Sequence, residues 1–137
     1  MPARLIRVGG LYPGAPYAYA SVAPPGSLVF TAGACPIDEG GVVTHPGDYA
    51  AQAERVIANL RTVLAAAGAS LTDVLKTTVY VASADRGDLL DVWRVVHGAF
   101  GAHDAPSTLL GVGTLGYEGQ LVEIEAVALA PASGSLG

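Results

Sequence analysis

The chain has 137 residues, of which 51% are hydrophobic and 14% charged, with a formal net charge of −5, a single cysteine and a single lysine. That length carries one domain with a real core and excludes two. No apolar run approaches the roughly 20 residues of a membrane helix, one cysteine excludes a disulfide framework, and the acidic balance, with no Lys or Arg after Arg94, excludes an electrostatic footprint for nucleic acid.

Charged residues fall well below the rough 25% of globular chains, so a subunit this apolar is expected to hide surface in an oligomer. The first ten residues hold no hydrophobic signal core. Without disulfides or a leader, a cytoplasmic protein is expected.

In chain order, Arg4–Val8 is short and β-like, Gly9–Pro16 is turn-rich, and Tyr17–Ala23 is extended. Pro24-Pro25-Gly26-Ser27 is a turn by composition. Leu28–Ala34 reads as a strand interrupted by Gly33, where a bulge or a close approach is expected. Gly40–Thr44 adds a short hairpin arm that His45-Pro46-Gly47 ends. Asp48 is placed as an N-cap. Tyr49, Ala53, Val56, Leu60, Val63, Leu64 and Ala67 then recur at helical spacing, with Gly68 as the C-terminal stop. Ser70–Asp73 resembles a capping turn.

Val74–Ala82 (VLKTTVYVA) is β-branched and aromatic, which predicts a strand. Leu75, Thr77, Val79 and Val81 are expected on one face and Lys76, Thr78 and Tyr80 on the other. A second helix starts within Asp85–Gly87, with Leu89 or Leu90, Trp93, Val96 or His97, and Phe100 as its apolar stripe. Ser107–Val112 is a strand and Leu115–Gly119 a turn. The last strand, Leu121–Leu129 (LVEIEAVAL), alternates strictly: Val122, Ile124, Ala126 and Ala128 face one way, Glu123, Glu125 and Val127 the other. Residues 1–130 form the single domain, and 131–137 (PASGSLG) a flexible tail. Two helices and five or six strands predict a layered α/β domain with both helices on one sheet face. The other face then lacks cover within the chain, and subunit association would supply it.

The notable feature of the last strand is two carboxylates on one face, roughly 7 Å apart. Charges are rarely buried unless paired, so that face meets water, a cation or a ligand. Lys76 is the available partner for either carboxylate, and one lysine neutralises only one of them. Cys35, close to Gly33, has no local base to activate it. His45, His97 and His103 lack metal-ligand spacing, so no metal site is expected. Gly111–Gly113 and Gly116–Gly119 do not follow the strand–turn–helix pattern of a phosphate loop.

Several segments together resemble the RidA (YjgF) family of reactive-intermediate imine deaminases: Pro16-Tyr17, LVFTAGACPID (Leu28–Asp38), the Gln52–Leu60 helix with Asn59-Leu60, AAGASLTDVLKTTVYV (Ala66–Val81) and LVEIEAVAL. The resemblance implies a chorismate-mutase-like α/β fold, with a mixed five- or six-stranded sheet. It also implies a homotrimer with inward-facing sheets and a small-molecule cleft between subunits. Deaminases of this family hydrolyse enamine or imine products of pyridoxal-phosphate enzymes and need no cofactor of their own. Residue by residue, the glutamate that positions the attacking water matches Glu123, the cleft tyrosine matches Tyr17, and the pocket glycine matches Gly33. Cys35 and Trp93 fall beside that pocket. The arginine that clamps a substrate carboxylate precedes the penultimate strand; that slot holds Pro106, followed by Ser107. Arg86 and Arg94 are the nearest candidates to replace it.

A guanidinium–carboxylate pair is strong and charge-assisted. Its loss is expected to weaken 2-imino-acid binding by one to two decades or more, at about 1.5–3 kcal/mol per bond and about 1.4 kcal/mol per decade. The function expected is hydrolysis of an imine or enamine other than an ordinary 2-imino acid. The alternative is a metabolite-binding or regulatory trimer that does no chemistry.

Overall fold

The computed structural model describes residues 3–131. Its elements are β1 (Arg4–Ile6), β2 (Ala20–Val22), β3 (Ser27–Phe30), α1 (Tyr49–Ala66), a 3-10 turn (Leu71–Asp73), β4 (Val74–Val81), α2 (Arg86–Phe100), β5 (Ser107–Gly111) and β6 (Val122–Ala130). The expected tail lies outside the described residues beyond Pro131.

The helix ends are set by local chemistry. Asp48 caps α1 by accepting from the Ala51 N–H at 2.9 Å. At the other end Gly68 adopts φ +78°, and the Gly68 and Ala69 N–H groups return to the Ala65 and Leu64 carbonyls. That is a Schellman stop, and a side chain at Gly68 would strain it. Asp85 caps α2 through the Gly87 N–H at 2.8 Å. Ser70 and Asp73 form the expected capping box ahead of β4.

The six strands divide between two sheets. β1 and β2 make a separate antiparallel ribbon, tied to the main sheet where the Ser21 hydroxyl donates to the Leu75 carbonyl at 2.7 Å. The mixed sheet has four strands in the order β3-β6-β4-β5; β4 and β5 are parallel and the other pairs antiparallel. The parallel pair needs a crossover, and α2 provides it. Gly40–Thr44 contributes only an isolated bridge, Ile37 to Val43.

Both helices lie on one face. Val56, Leu60 and Leu64 of α1 and Val92 and Val96 of α2 are buried in one cluster with Val79, Val81, Val122 and Ile124. Three inward-facing assignments change. The register shifts between Val74 and Lys76, so Val74, not Leu75, takes the core position at the start of β4. Ile57 and Gln52 are buried on α1 while Val63 is 46% exposed. Val92 is buried on α2, and Leu90 is out in solvent. On β4 the bulge decided the outcome; on the two helices neighbouring residues competed for one stripe, and the packing angle of the helix chose between them.

The opposite face carries Lys76, Thr78, Tyr80, Glu123, Glu125 and Val127, flanked by Leu28, Phe30 and Leu110. Among the described residues nothing covers it: Phe30 is 72% exposed and Leu28 50%. Among the described residues no helix is long and apolar enough to cross a membrane.

Candidate functional site

Alternation along β6 points Glu123 away from the helices, and the β-ladder places it opposite Tyr80. Two things then hold its carboxylate. The first is an irregularity in the neighbouring strand. β3 pairs regularly only to Phe30; the Thr31 hydroxyl takes the Ala126 N–H at 2.9 Å, and pairing resumes at Ala34, whose N–H reaches the Ile124 carbonyl at 2.7 Å. Gly33 lies in that break. A Cβ there would overlap the Glu123 carboxylate and its Cγ, so only glycine leaves room for the acid in this position.

The second is a pair of donors on one oxygen. Oε1 of Glu123 accepts from Gln120 Nε2 at 3.0 Å and from Cys35 Sγ at 3.4 Å. Burial, with the neighbouring Glu123 carboxylate, pushes the Cys35 thiol up to about 11, so it stays protonated at neutral pH and acts as a donor. Asn59 of α1 fixes this corner by donating to the Cys35 and Ile37 carbonyls at 2.7 and 3.0 Å. Gln52, fully buried, donates to the His45 and Gly119 carbonyls and accepts from the Leu121 N–H, pinning the chain just before β6.

Lys76 pairs with neither carboxylate. Its ammonium donates to the Thr108 hydroxyl, and burial lowers its pKa. Glu125 accepts instead from the Tyr80 hydroxyl, and that bond raises the Tyr80 pKa. The expected lysine–glutamate pair fails because Lys76 lies opposite Val127 in the register, whereas Tyr80 reaches diagonally to Glu125.

The other predicted residues gather elsewhere. Tyr17 packs edge-on against Trp93 (centroids 6.4 Å apart) and Tyr19 (5.9 Å). Tyr17 and Trp93, with Pro16, Leu90, Ser107 and Thr108, line a hollow of about 470 Å³ at the β5 edge of the sheet. Trp93 stacks on His97. Ser107 accepts from the Thr77 hydroxyl at 2.7 Å, and buried Pro106 accepts the Thr77 N–H on its carbonyl at 3.0 Å. Arg94 pairs with Asp91 on the exposed side of α2, the side of the sheet away from Glu123. Arg86 begins α2.

Within one chain, the two groups do not meet. Ser107 aligns with Thr77, and Glu123 with Tyr80, three residues along and two strands across; ordinary strand spacings put them ~14 Å apart. Glu123, Gly33 and Cys35 form one cluster; Tyr17, Trp93 and Ser107 form the other. Among the described residues no three His, Cys, Asp or Glu side chains converge in a way that could hold a metal ion.

The residue missed by reading the sequence is Gln120. It is 3% exposed and contacts Glu123 directly. It sits in a Gly-rich turn, where a polar residue is ordinarily solvated; only its position three residues before Glu123 hinted at a role.

The endoribonuclease L-PSP family model matches residues 10–130. The chain belongs to that family. It is the RidA (YjgF) family to which the sequence motifs pointed, and the two-helix, mixed-sheet architecture is its chorismate-mutase-like fold. The chain is similar to the crystal structure of YyfB of the conserved Rid family from Yersinia pestis, with a TM-score of 0.88 and 30% identity, covering 94% of this chain and 99% of that one. It is 37% identical over 82 residues to the 3-aminoacrylate deaminase RutC of Acinetobacter baylyi (59% of this chain, 64% of the relative). It is 36% identical over 81 residues to a 2-iminobutanoate/2-iminopropanoate deaminase of Salmonella typhimurium (58% and 60%). Both relatives are named as deaminases, of 3-aminoacrylate and of 2-imino acids respectively.

Proposed function

We propose that this protein is a cofactor-free hydrolase of imines or enamines, acting in a cleft completed by a second copy of the chain within a homotrimer. Glu123 is the base. Water held on its free oxygen adds to the C=N carbon as the nitrogen takes up a proton; the resulting carbinolamine collapses to a carbonyl compound and ammonia. The observation that carries this reading is the Glu123 carboxylate, held by Gln120 and Cys35 over the bare backbone of Gly33. The deaminase names of the relatives set the reaction class. The uncovered sheet face, and the separation of the Glu123 cluster from the Tyr17–Trp93 hollow, support assembly across subunits.

The preferred substrate lacks a carboxylate next to the imine carbon. Pro106 stands where the family carries its clamp, and Arg94 is engaged with Asp91 on the far side of the sheet. The hollow beside Pro106 has aromatic walls, which suit an apolar substituent. Ammonia release is measured from 2-iminobutyrate and from an uncharged imine of similar size, each generated in situ. The uncharged imine is expected to turn over faster, and Glu123→Gln to abolish that rate. Pro106→Arg is expected to raise kcat/KM on 2-iminobutyrate by about tenfold or more, the worth of one charge-assisted bond at about 1.4 kcal/mol per decade. Tight binding of the uncharged imine with no turnover in either protein would instead favour a metabolite sensor.

A further inference from the structure

A carboxylate serves as a base in a defined direction only if something fixes its rotamer. On Glu123 the two oxygens are treated differently. Oε1 has two donors, Gln120 Nε2 and Cys35 Sγ. Oε2 lies against Gly33, and among the described residues no donor reaches it.

The Gln120 amide has one orientation available. Its carbonyl accepts the Tyr117 N–H at 3.1 Å, so its NH2 must face the other way. Both amide protons are then used, one on the Val122 carbonyl at 3.1 Å and one on Glu123 Oε1. With the side chain 3% exposed, water cannot compete for these bonds. Cys35 approaches the same oxygen from the segment that follows β3, its carbonyl anchored by Asn59.

We infer that Gln120 and Cys35 are positioning residues: together they occupy Oε1 and leave Oε2 as the one oxygen that presents water to substrate. This rests on the reading of Glu123 as the base. Cys35 is accordingly a hydrogen-bond donor in this site and not a nucleophile. Gln120 also ties down the turn before β6, so its removal affects folding as well as the site; Cys35 offers a separate handle.

The experiment combines turnover of the uncharged imine with titration of the thiol by iodoacetamide alkylation across pH. Gln120→Met is expected to lower kcat about tenfold with KM within twofold. Cys35→Ala lowers kcat severalfold, and Cys35→Ser, which keeps a donor, restores it. In the wild type the thiol is expected to titrate at about 11, raised by burial and by the Glu123 carboxylate. In Glu123→Gln, with the negative charge gone, it titrates lower and alkylation at pH 8.5 speeds up severalfold. An unmoved thiol titration in Glu123→Gln would overturn the contact itself. Unchanged kcat in both Gln120→Met and Cys35→Ala would overturn the positioning role while leaving Glu123 as the base. Undiminished turnover in Glu123→Gln would instead remove the base, and with it the proposal, whatever the thiol does.

Discussion

Gly33→Ala isolates the contact on which the site depends. The added methyl overlaps the Glu123 carboxylate and Cγ, while the backbone at Gly33 does not require a positive φ. The acid therefore has to swing aside. Doing so breaks its bond to Gln120, worth about 1.5–3 kcal/mol for a charged acceptor, and the weaker thiol bond. A loss of about 2 kcal/mol is expected, or roughly 4–8 °C in Tm for a domain of this size. Urea denaturation at fixed protein concentration, in a double-mutant cycle with Glu123→Ala, measures it. In the Glu123→Ala background there is no carboxylate to displace, and Gly33→Ala is expected to cost less than about 0.5 kcal/mol, the ordinary range for surface changes. Alkylation of Cys35 should also speed up in the single variant, as the carboxylate leaves the thiol. An equal loss of stability in both backgrounds would refute the argument, since it would locate the strain in the backbone and not in the acid.

Gln52→Leu removes three hydrogen bonds to backbone groups of the loop after the hairpin arm and the turn before β6, leaving those groups buried and unpaired. A loss of about 3–5 kcal/mol in urea denaturation is expected. Tyr80 is held protonated by Glu125, so its folded pKa lies above the ordinary phenol value of 10.0. The stabilisation is then full below pH 10 and is lost as pH rises through the folded value. Tyr80→Phe should abolish the highest-titrating phenol in an ultraviolet titration and leave a smaller further loss of stability above pH 10. Asp48→Ala deletes the cap of α1 and is expected to cost about 1 kcal/mol in the same denaturation assay.

Local patterns carried much of this protein. The alternation of Leu121–Leu129 put Glu123 and Glu125 on one face, because side chains on a strand alternate whatever the strand pairs with. Asp48, Gly68, Ser70 and Asp85 bounded their elements, since caps are satisfied by the nearest few residues. Gly33 stood out as an interruption in an apolar strand, and the order of motifs named the family.

Contacts between residues distant in the chain are set by how strands and helices pack, and no local period encodes them. Lys76 looked like the partner of the two carboxylates, but the register after the bulge at Leu75 set it beside Thr108 and gave Glu125 to Tyr80. Gln120 carried no local signal of its own; packing of the Gly119 turn against Gln52 buries it beside Glu123. Strand order separated the Tyr17–Trp93 hollow from Glu123 by two strands of one sheet. The alternation of β6 and of most of β4 was thus decided along the chain, by geometry that repeats every two residues; which of two neighbouring residues fills a helix stripe, and the neighbour each face received, were decided only when the whole chain packed together.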